Sequence, residues 1–179
     1  MDAAFDSIHL TDGGMETTLI YHDGIDLPDF AAFTVLASDE GRAALAAYYD
    51  AYLTVAEARG LPIVLDTPTW RASSDWGARL GYSADQLADV NREAVAFLRN
   101  ACAGRSAPVL VSGAIGPRGD GYVASELMTT ADAKRYHAPQ VEALAGAGVD
   151  LVSAITMTYA DEASGIALAA TSAGVPVAI

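Results

Sequence analysis

Ala58-Arg59-Gly60-Leu61-Pro62-Ile63-Val64-Leu65-Asp66-Thr67 reads as a helix end, a glycine and then a short apolar run. Glycine closes helices because it enters the left-handed region without a Cβ clash. Apolar runs without polar alternation are strands buried on both faces, as in a parallel sheet. The same order recurs at Gly104 before Val109-Leu110-Val111-Ser112-Gly113. It recurs at Gly148 before Asp150-Leu151-Val152-Ser153-Ala154-Ile155-Thr156, and at Gly174 before Val175-Pro176-Val177-Ala178-Ile179. Helix then strand, repeated, is the rhythm of a (β/α) barrel or a doubly wound sheet. A short strand at 8–12 brings the expected number to about five. A complete eight-stranded barrel takes about 250 residues. The 179 residues are therefore read as the first part of a larger domain, with open sheet edges at 8–12 and 175–179.

The helices between these strands carry their own signals. Ser38 caps a helix that runs to Gly60, with Asp39 and Glu40 in the first turn, where the helix dipole favours acids. Leu45, Tyr48, Tyr49, Tyr52 and Ala56 mark its buried face. Ser83 and Gln86 have capping-box spacing and open a helix with Leu87, Val90, Ala94, Phe97 and Ala101 as its stripe. A helix over 130–146 is expected to bend or divide at Pro139, and another covers 161–173. Residues 15–21 form one or two helical turns, and 24–33 are irregular. Residues 68–82 are a long connection carrying Trp70 and Trp76, and 114–129 are a glycine-rich loop. No linker or second domain interrupts the pattern, so residues 1–179 are assigned to one domain.

Composition removes several classes of function. Hydrophobic residues are 52% and charged residues 18%, which is globular rather than disordered. A net charge of −13 argues against nucleic acid or anionic lipid as a partner, since both need positive charge. No apolar run is long enough to span a bilayer. Residues 1–6 lack the basic and apolar segments of a signal peptide, and the single cysteine, Cys102, cannot form an internal disulfide. A cytoplasmic location follows as the expectation. Cys102 is read as a small buried residue of its helix.

Parallel (β/α) folds place their sites at the carboxyl ends of the strands. Those ends here carry Asp12-Gly13-Gly14, Asp66-Thr67, Ser112-Gly113 and Thr156. Two glycines let backbone approach a ligand, and Asp12 beside them either accepts from a ligand ammonium or caps the next helix. Gly113-Ala114-Ile115-Gly116-Pro117-Arg118-Gly119-Asp120-Gly121 has the look of an anion cradle, although it matches neither nucleotide-binding fingerprint. Arg118 either grips a ligand carboxylate or pairs with Asp120. Trp70 and Trp76 either cage a cationic methyl donor or pack over the barrel mouth. His9, His22 and His137 show no metal-site or triad spacing.

Leu10-Thr11-Asp12-Gly13-Gly14-Met15-Glu16-Thr17-Thr18-Leu19 and Val111-Ser112-Gly113-Ala114-Ile115-Gly116-Pro117 together resemble the homocysteine S-methyltransferase family. Thr67-Pro68-Thr69-Trp70-Arg71-Ala72-Ser73 is similar to the family's stretch after its second strand. Tyr136-His137-Ala138-Pro139-Gln140 followed by Ala147-Gly148-Val149-Asp150-Leu151 adds to the likeness. The resemblance implies a partial (β/α)8 TIM barrel and an enzyme that moves a methyl group to the thiol of homocysteine or a related thiol, as in methionine biosynthesis. It implies zinc as the cofactor that makes the thiolate. It implies S-methylmethionine, S-adenosylmethionine or betaine as the kind of methyl donor. Asp12, Gly13 and Gly14 would hold the amino-acid part of homocysteine, with Thr67, Thr69, Trp70 and Arg118 as further binding residues.

Two departures from the family pattern shape the expectation. The family's zinc cysteines lie in later segments, so this chain should bind no zinc and should be inactive alone. The glutamate that many members carry after the fourth strand is replaced here by Ile155-Thr156. The rival readings are another barrel enzyme, of aldolase or pterin-binding type, and a non-catalytic product that survives by self-association.

Overall fold

The computed structural model describes residues 8–124 and 127–179, so the signal-peptide reading of 1–6 lies outside the described residues. Five strands run parallel in the order β1-β2-β3-β4-β5. They are β1 (Leu10–Thr11), β2 (Ile63–Asp66), β3 (Val109–Ile115), β4 (Leu151–Ala154) and β5 (Val177–Ala178). The helices are α1 (Met15–Thr17), α2 (Asp39–Arg59), α3 (Ser74–Arg79), α4 (Ala84–Ala101), α5 (Thr130–Gly146) and α6 (Ala160–Ala173). Each strand pairs with the next one in the chain, and helices fill the connections. This is half of a (β/α)8 barrel: of the two architectures the helix-glycine-strand rhythm allows, it is the one the family resemblance implies. The four punctuating glycines adopt φ of 62° at Gly60, 78° at Gly104, 85° at Gly148 and 71° at Gly174.

The parallel register and the pleat sort the strand residues between two faces. Leu10↔Ile63, Leu65↔Val111, Gly113↔Val152 and Ile115↔Ala154 share the outer face. There Ile63, Leu65, Val111, Ile115 and Val152 are fully buried in the main core with Leu45, Tyr49, Leu53, Leu98 and Leu144. Thr11↔Val64, Asp66↔Ser112 and Ala114↔Ser153 share the inner face. Val64 and Leu110 face inward and are half-buried, as an open barrel interior requires. Val111 and Val152 do not face inward with them. Successive side chains point to opposite faces, so Leu110 and Val111 cannot both face the barrel interior.

The helices form where their caps and faces predict, with four departures. Ser38 accepts from the Gly41 amide at 3.0 Å, and Ser83 with Gln86 makes the complete capping box. The buried side of α4 is Leu87, Asn91, Ala94, Val95 and Leu98, leaving Val90, Phe97 and Ala101 at its margin. That side is turned because Asn91 goes inward to donate to Ala72 O and Leu87 O. Cys102 lies just past α4, half-buried against the core. The connection at 68–82 contains α3, a two-turn helix too short to show periodicity. Finally, α5 runs through Pro139 as one helix. No helix among the described residues is long and apolar enough to cross a membrane.

The α5–α6 contact is a close helix packing. A Cβ on Gly165 would lie 2.4 Å from Ala133 Cβ and 2.7 Å from the Lys134 amide nitrogen. Backbone cannot step aside, so Gly165→Ala should lower stability by about 1–3 kcal/mol. Gly146 at the end of α5 has nothing within 4 Å, and Gly146→Ala should be neutral or stabilising by up to about 1 kcal/mol. Urea melts of the two variants beside the parent check both signs.

Candidate active site

The carboxyl ends of β1 to β4 open on one cavity of about 610 Å³. Its floor and near wall are Asp12, Gly13, Gly14, Glu16, Asp66 and Thr67. Trp70, Arg71, Trp76 and Arg79 come from the chain leaving β2, Asp120 and Tyr122 from that leaving β3, and Ile155 and Thr156 from that leaving β4. Three non-glycine residues with positive φ, Asp29 (52°), Phe30 (59°) and Thr156 (61°), all line it. Strained backbone of this kind persists where surrounding structure enforces it, and it concentrates at functional sites.

Asp12 does not cap a helix: the N-cap of α1 is Gly14, whose φ of 68° turns the chain, and no side chain caps the helix. Instead Asp12 Oδ1 accepts from the Asp66 amide at 3.1 Å and Oδ2 from the Tyr48 hydroxyl at 3.0 Å. The tyrosines of α2, legible in the sequence only as a buried face, hold the turn with their hydroxyls. Tyr52 donates to Gly13 O at 2.7 Å, Tyr48 shares its proton with the same oxygen at 3.2 Å, and Tyr49 donates to Asp66 O at 2.9 Å.

Three carboxyls, Asp12, Glu16 and Asp66, line the cavity. Burial, and then the charge of Asp66, push Asp12 up to about 7. Burial raises Glu16 and Asp66 as well; the Ser112 and Ser153 hydroxyls oppose the shift at Asp66. Asp66 Oδ1 is buried with no hydrogen-bond partner. An acidic floor with an unmet acceptor is suited to a ligand cation such as an ammonium.

The remaining candidates divide. Thr67 lines the cavity, whereas Thr69 is fully buried in the wall behind it. Thr69 gives its one proton to Ala114 O at 2.8 Å, so Thr67 donates within their 2.7 Å pair and accepts from the Ala114 amide. The two hydroxyls fasten β2 to β3. Arg118 is not among the cavity residues. Its Nε contacts Asp75 at 2.7 Å, and the guanidinium lies 5.0 Å from the Tyr136 ring centroid.

The glycine-rich loop is not an open cradle. Asp120 receives the Tyr122 and Val123 amides, and Glu162 receives the Arg118 amide at 2.7 Å. Gly116 is there for packing, since a Cβ would sit 2.4 Å from Trp70 O.

A buried pair went unseen in the sequence. His137 Nε2 and Glu162 Oε1 lie 3.0 Å apart, and both side chains are buried. Burial pushes the Glu162 carboxyl up, but bonds from His137 and the Arg118 amide outweigh it and hold the carboxyl low. The two residues are 25 positions apart on different helices, which no spacing rule detects.

Residues 9–179 match the homocysteine S-methyltransferase family. The chain belongs to that family. Its fold is shared by three structures of the homocysteine methyltransferase MmuM from Escherichia coli. The oxidized form matches with a TM-score of 0.79 at 23% identity over 97% of this chain and 62% of that one. The metallated form matches at 0.73 and 21% over the same shares. The apo form matches at 0.64 and 23%, over 97% and 59%. This family member therefore spans less than two thirds of the length of those enzymes. No curated protein matches the chain in sequence.

The residues described do not fit the family's metal. No three of His, Cys, Asp or Glu among them converge as ligands. Cys102 precedes β3 and so lies at the amino ends of the strands, away from the cavity.

The raised carboxyl of Asp12 fixes the sign of a pH effect. Between 3.8 and about 7 the folded chain keeps the Asp12 proton that the unfolded chain has lost. This contribution is fully present below the unfolded value and disappears as pH rises through about 7. Asp12→Asn should therefore be more stable than the parent at pH 8, by about 1–2 kcal/mol after solvent screening. At pH 4 the gain should vanish. Thermal melts at the two pH values check it.

Proposed function

We propose that this chain is the first half of a thiol methyltransferase domain, binding the amino-acid part of homocysteine or a related thiol at Asp12-Gly13-Gly14. The observation that carries the reading is the Asp12 carboxylate, held by Asp66 N and Tyr48 on the floor of a cavity at the strand ends. An ammonium placed there meets Asp12 and the unmet oxygen of Asp66. Asp66 would supply the second carboxylate in a chain that has Ile155-Thr156 after its fourth strand. Gly13 and Gly14 leave room for the substrate backbone, and Thr67 keeps the wall rigid beside it.

Zinc, the cofactor the family resemblance implies, would lower the thiol's pKa when bound in the complete domain. Its ligands would come from outside this chain. The chain's own residues bind and orient the acceptor. An aldolase reading finds no support in the site: the chain's lone lysine, Lys134, lies within α5 and not at the cavity.

Homocysteine binding should strengthen as pH rises through about 7, because the ammonium needs Asp12 ionised. Asp12→Asn should weaken binding about tenfold or more and flatten that pH profile. Titration calorimetry at pH 6 and 8 measures both. The 179-residue chain should hold no stoichiometric zinc by metal analysis and should transfer no methyl group. Sedimentation should show species above monomer mass, because β1 and β5 are edge strands of the sheet and unpaired edges seek partners.

A further inference from the structure

Two tryptophans at a barrel mouth invite the reading of a cage for a ligand cation. Here the cage already holds a cation of the chain itself. The Arg71 guanidinium carbon lies 3.8 Å from the ring centroid of Trp70 and 3.8 Å from that of Trp76. Arg79 adds a second guanidinium 4.8 Å from the Trp76 centroid. A guanidinium on an indole face takes up that face's negative potential. Its charge also repels any ammonium or sulfonium brought beside it.

Arg71 is only 5% exposed, yet it lines the cavity. Its Nη1 donates to Gly119 O at 3.0 Å and Pro117 O at 3.5 Å. Its Nε is buried with no partner, and among the described residues Nη2 has no acceptor either. The carboxylates of Asp120, Asp29 and Glu16 act on it through space, but none is hydrogen-bonded to it. Arg79, by contrast, is committed to Asp29 at 3.1 Å.

The indoles that flank Arg71 are themselves fixed. Trp76 Nε1 donates to Pro117 O at 3.2 Å and Trp70 Nε1 to Ile155 O at 3.4 Å. Arg71 is therefore a preorganised planar fork with one edge unmet. Buried donors without acceptors are costly, and a carboxylate matches this fork geometrically.

We infer that Arg71 receives a carboxylate of the cavity's ligand, so that the Trp70–Arg71–Trp76 wall selects for an anionic group and does not cage a bare methylated cation. The cavity then has an acidic floor at Asp12 and Asp66 and a basic wall at Arg71, with Glu16 acting electrostatically on both Asp66 and Arg71. This inference deepens the methyltransferase reading by naming a feature of its ligands. Its test uses neither a thiol nor methyl transfer, so the two stand or fall separately.

The test uses the 179-residue chain, with tryptophan fluorescence and calorimetry as readouts. The probes are trimethylglycine and choline, which share a quaternary ammonium but differ in the carboxylate, together with succinate. Trimethylglycine and succinate should bind saturably and choline should not. Arg71→Lys keeps the charge but not the fork, and should weaken both carboxylate probes about tenfold or more. Arg71→Met should lose them and, with the indole faces freed, gain choline binding. An arginine that only braces the 117–119 loop predicts lower melting temperatures in both variants with unchanged probe selectivity. That result overturns the inference. So does choline binding the parent as tightly as trimethylglycine, or no saturable binding by either carboxylate probe.

Discussion

One hydrogen bond joins the fold to the site: the amide of Asp66, at the end of β2, donates to the carboxylate of Asp12, at the end of β1. It exists only because the two strands run parallel in a register that brings both ends to the same level. The same register turns Asp66 toward the barrel interior beside Ser112. Two carboxyls are thereby forced together in partly buried surroundings, which favours their neutral forms. The tyrosines of α2 are the counterweight. Their hydroxyls meet Asp12, Gly13 O and Asp66 O, so a helix on the outer layer fixes the geometry of a turn on the inner rim.

Close packing carries this arrangement around the sheet. Gly113 lets Leu144 of α5 sit on β3, since a Cβ there would meet its Cδ1 at 2.8 Å. Gly116 lets the chain after β3 hydrogen-bond directly to Trp70 O. Glu162 then ties the start of that loop to α5 and α6 through the Arg118 amide and His137. The polar groups that look like free ligand-binding equipment in the sequence are largely spent on holding the rim. Arg118, Thr69 and the amides after Asp120 are all engaged in this way. What is left unmet at the cavity is narrower: one oxygen of Asp66 and part of the Arg71 guanidinium.

The described half presents an acidic floor and a guanidinium wall, both suited to recognising a charged small molecule. It presents no convergent set of metal ligands.

The barrel was chosen over a doubly wound sheet by the family's motifs, whereas the strands and their parallel order were legible because glycine stops and unalternating apolar runs are local signals. Ser38, the Ser83–Gln86 box and the cavity residues at Asp12-Gly13-Gly14 were legible for the same reason. The face each residue takes was not: Val111 and Val152 look like Leu110 and Val64, and only the strand register assigns them. Nor was the short helix α3, which has too few turns to show a period. The partners of Arg118 and His137 come from distant segments, as do the Tyr48, Tyr49 and Tyr52 hydroxyl contacts. Trp70 and Trp76 were visible as a possible cation cage, but whether the cation is a ligand's or the chain's own depends on where Arg71 folds. Local chemistry determines which elements form. Charge pairing and the state of a buried carboxyl depend on distances across the fold, and those exist only once the strands are in register.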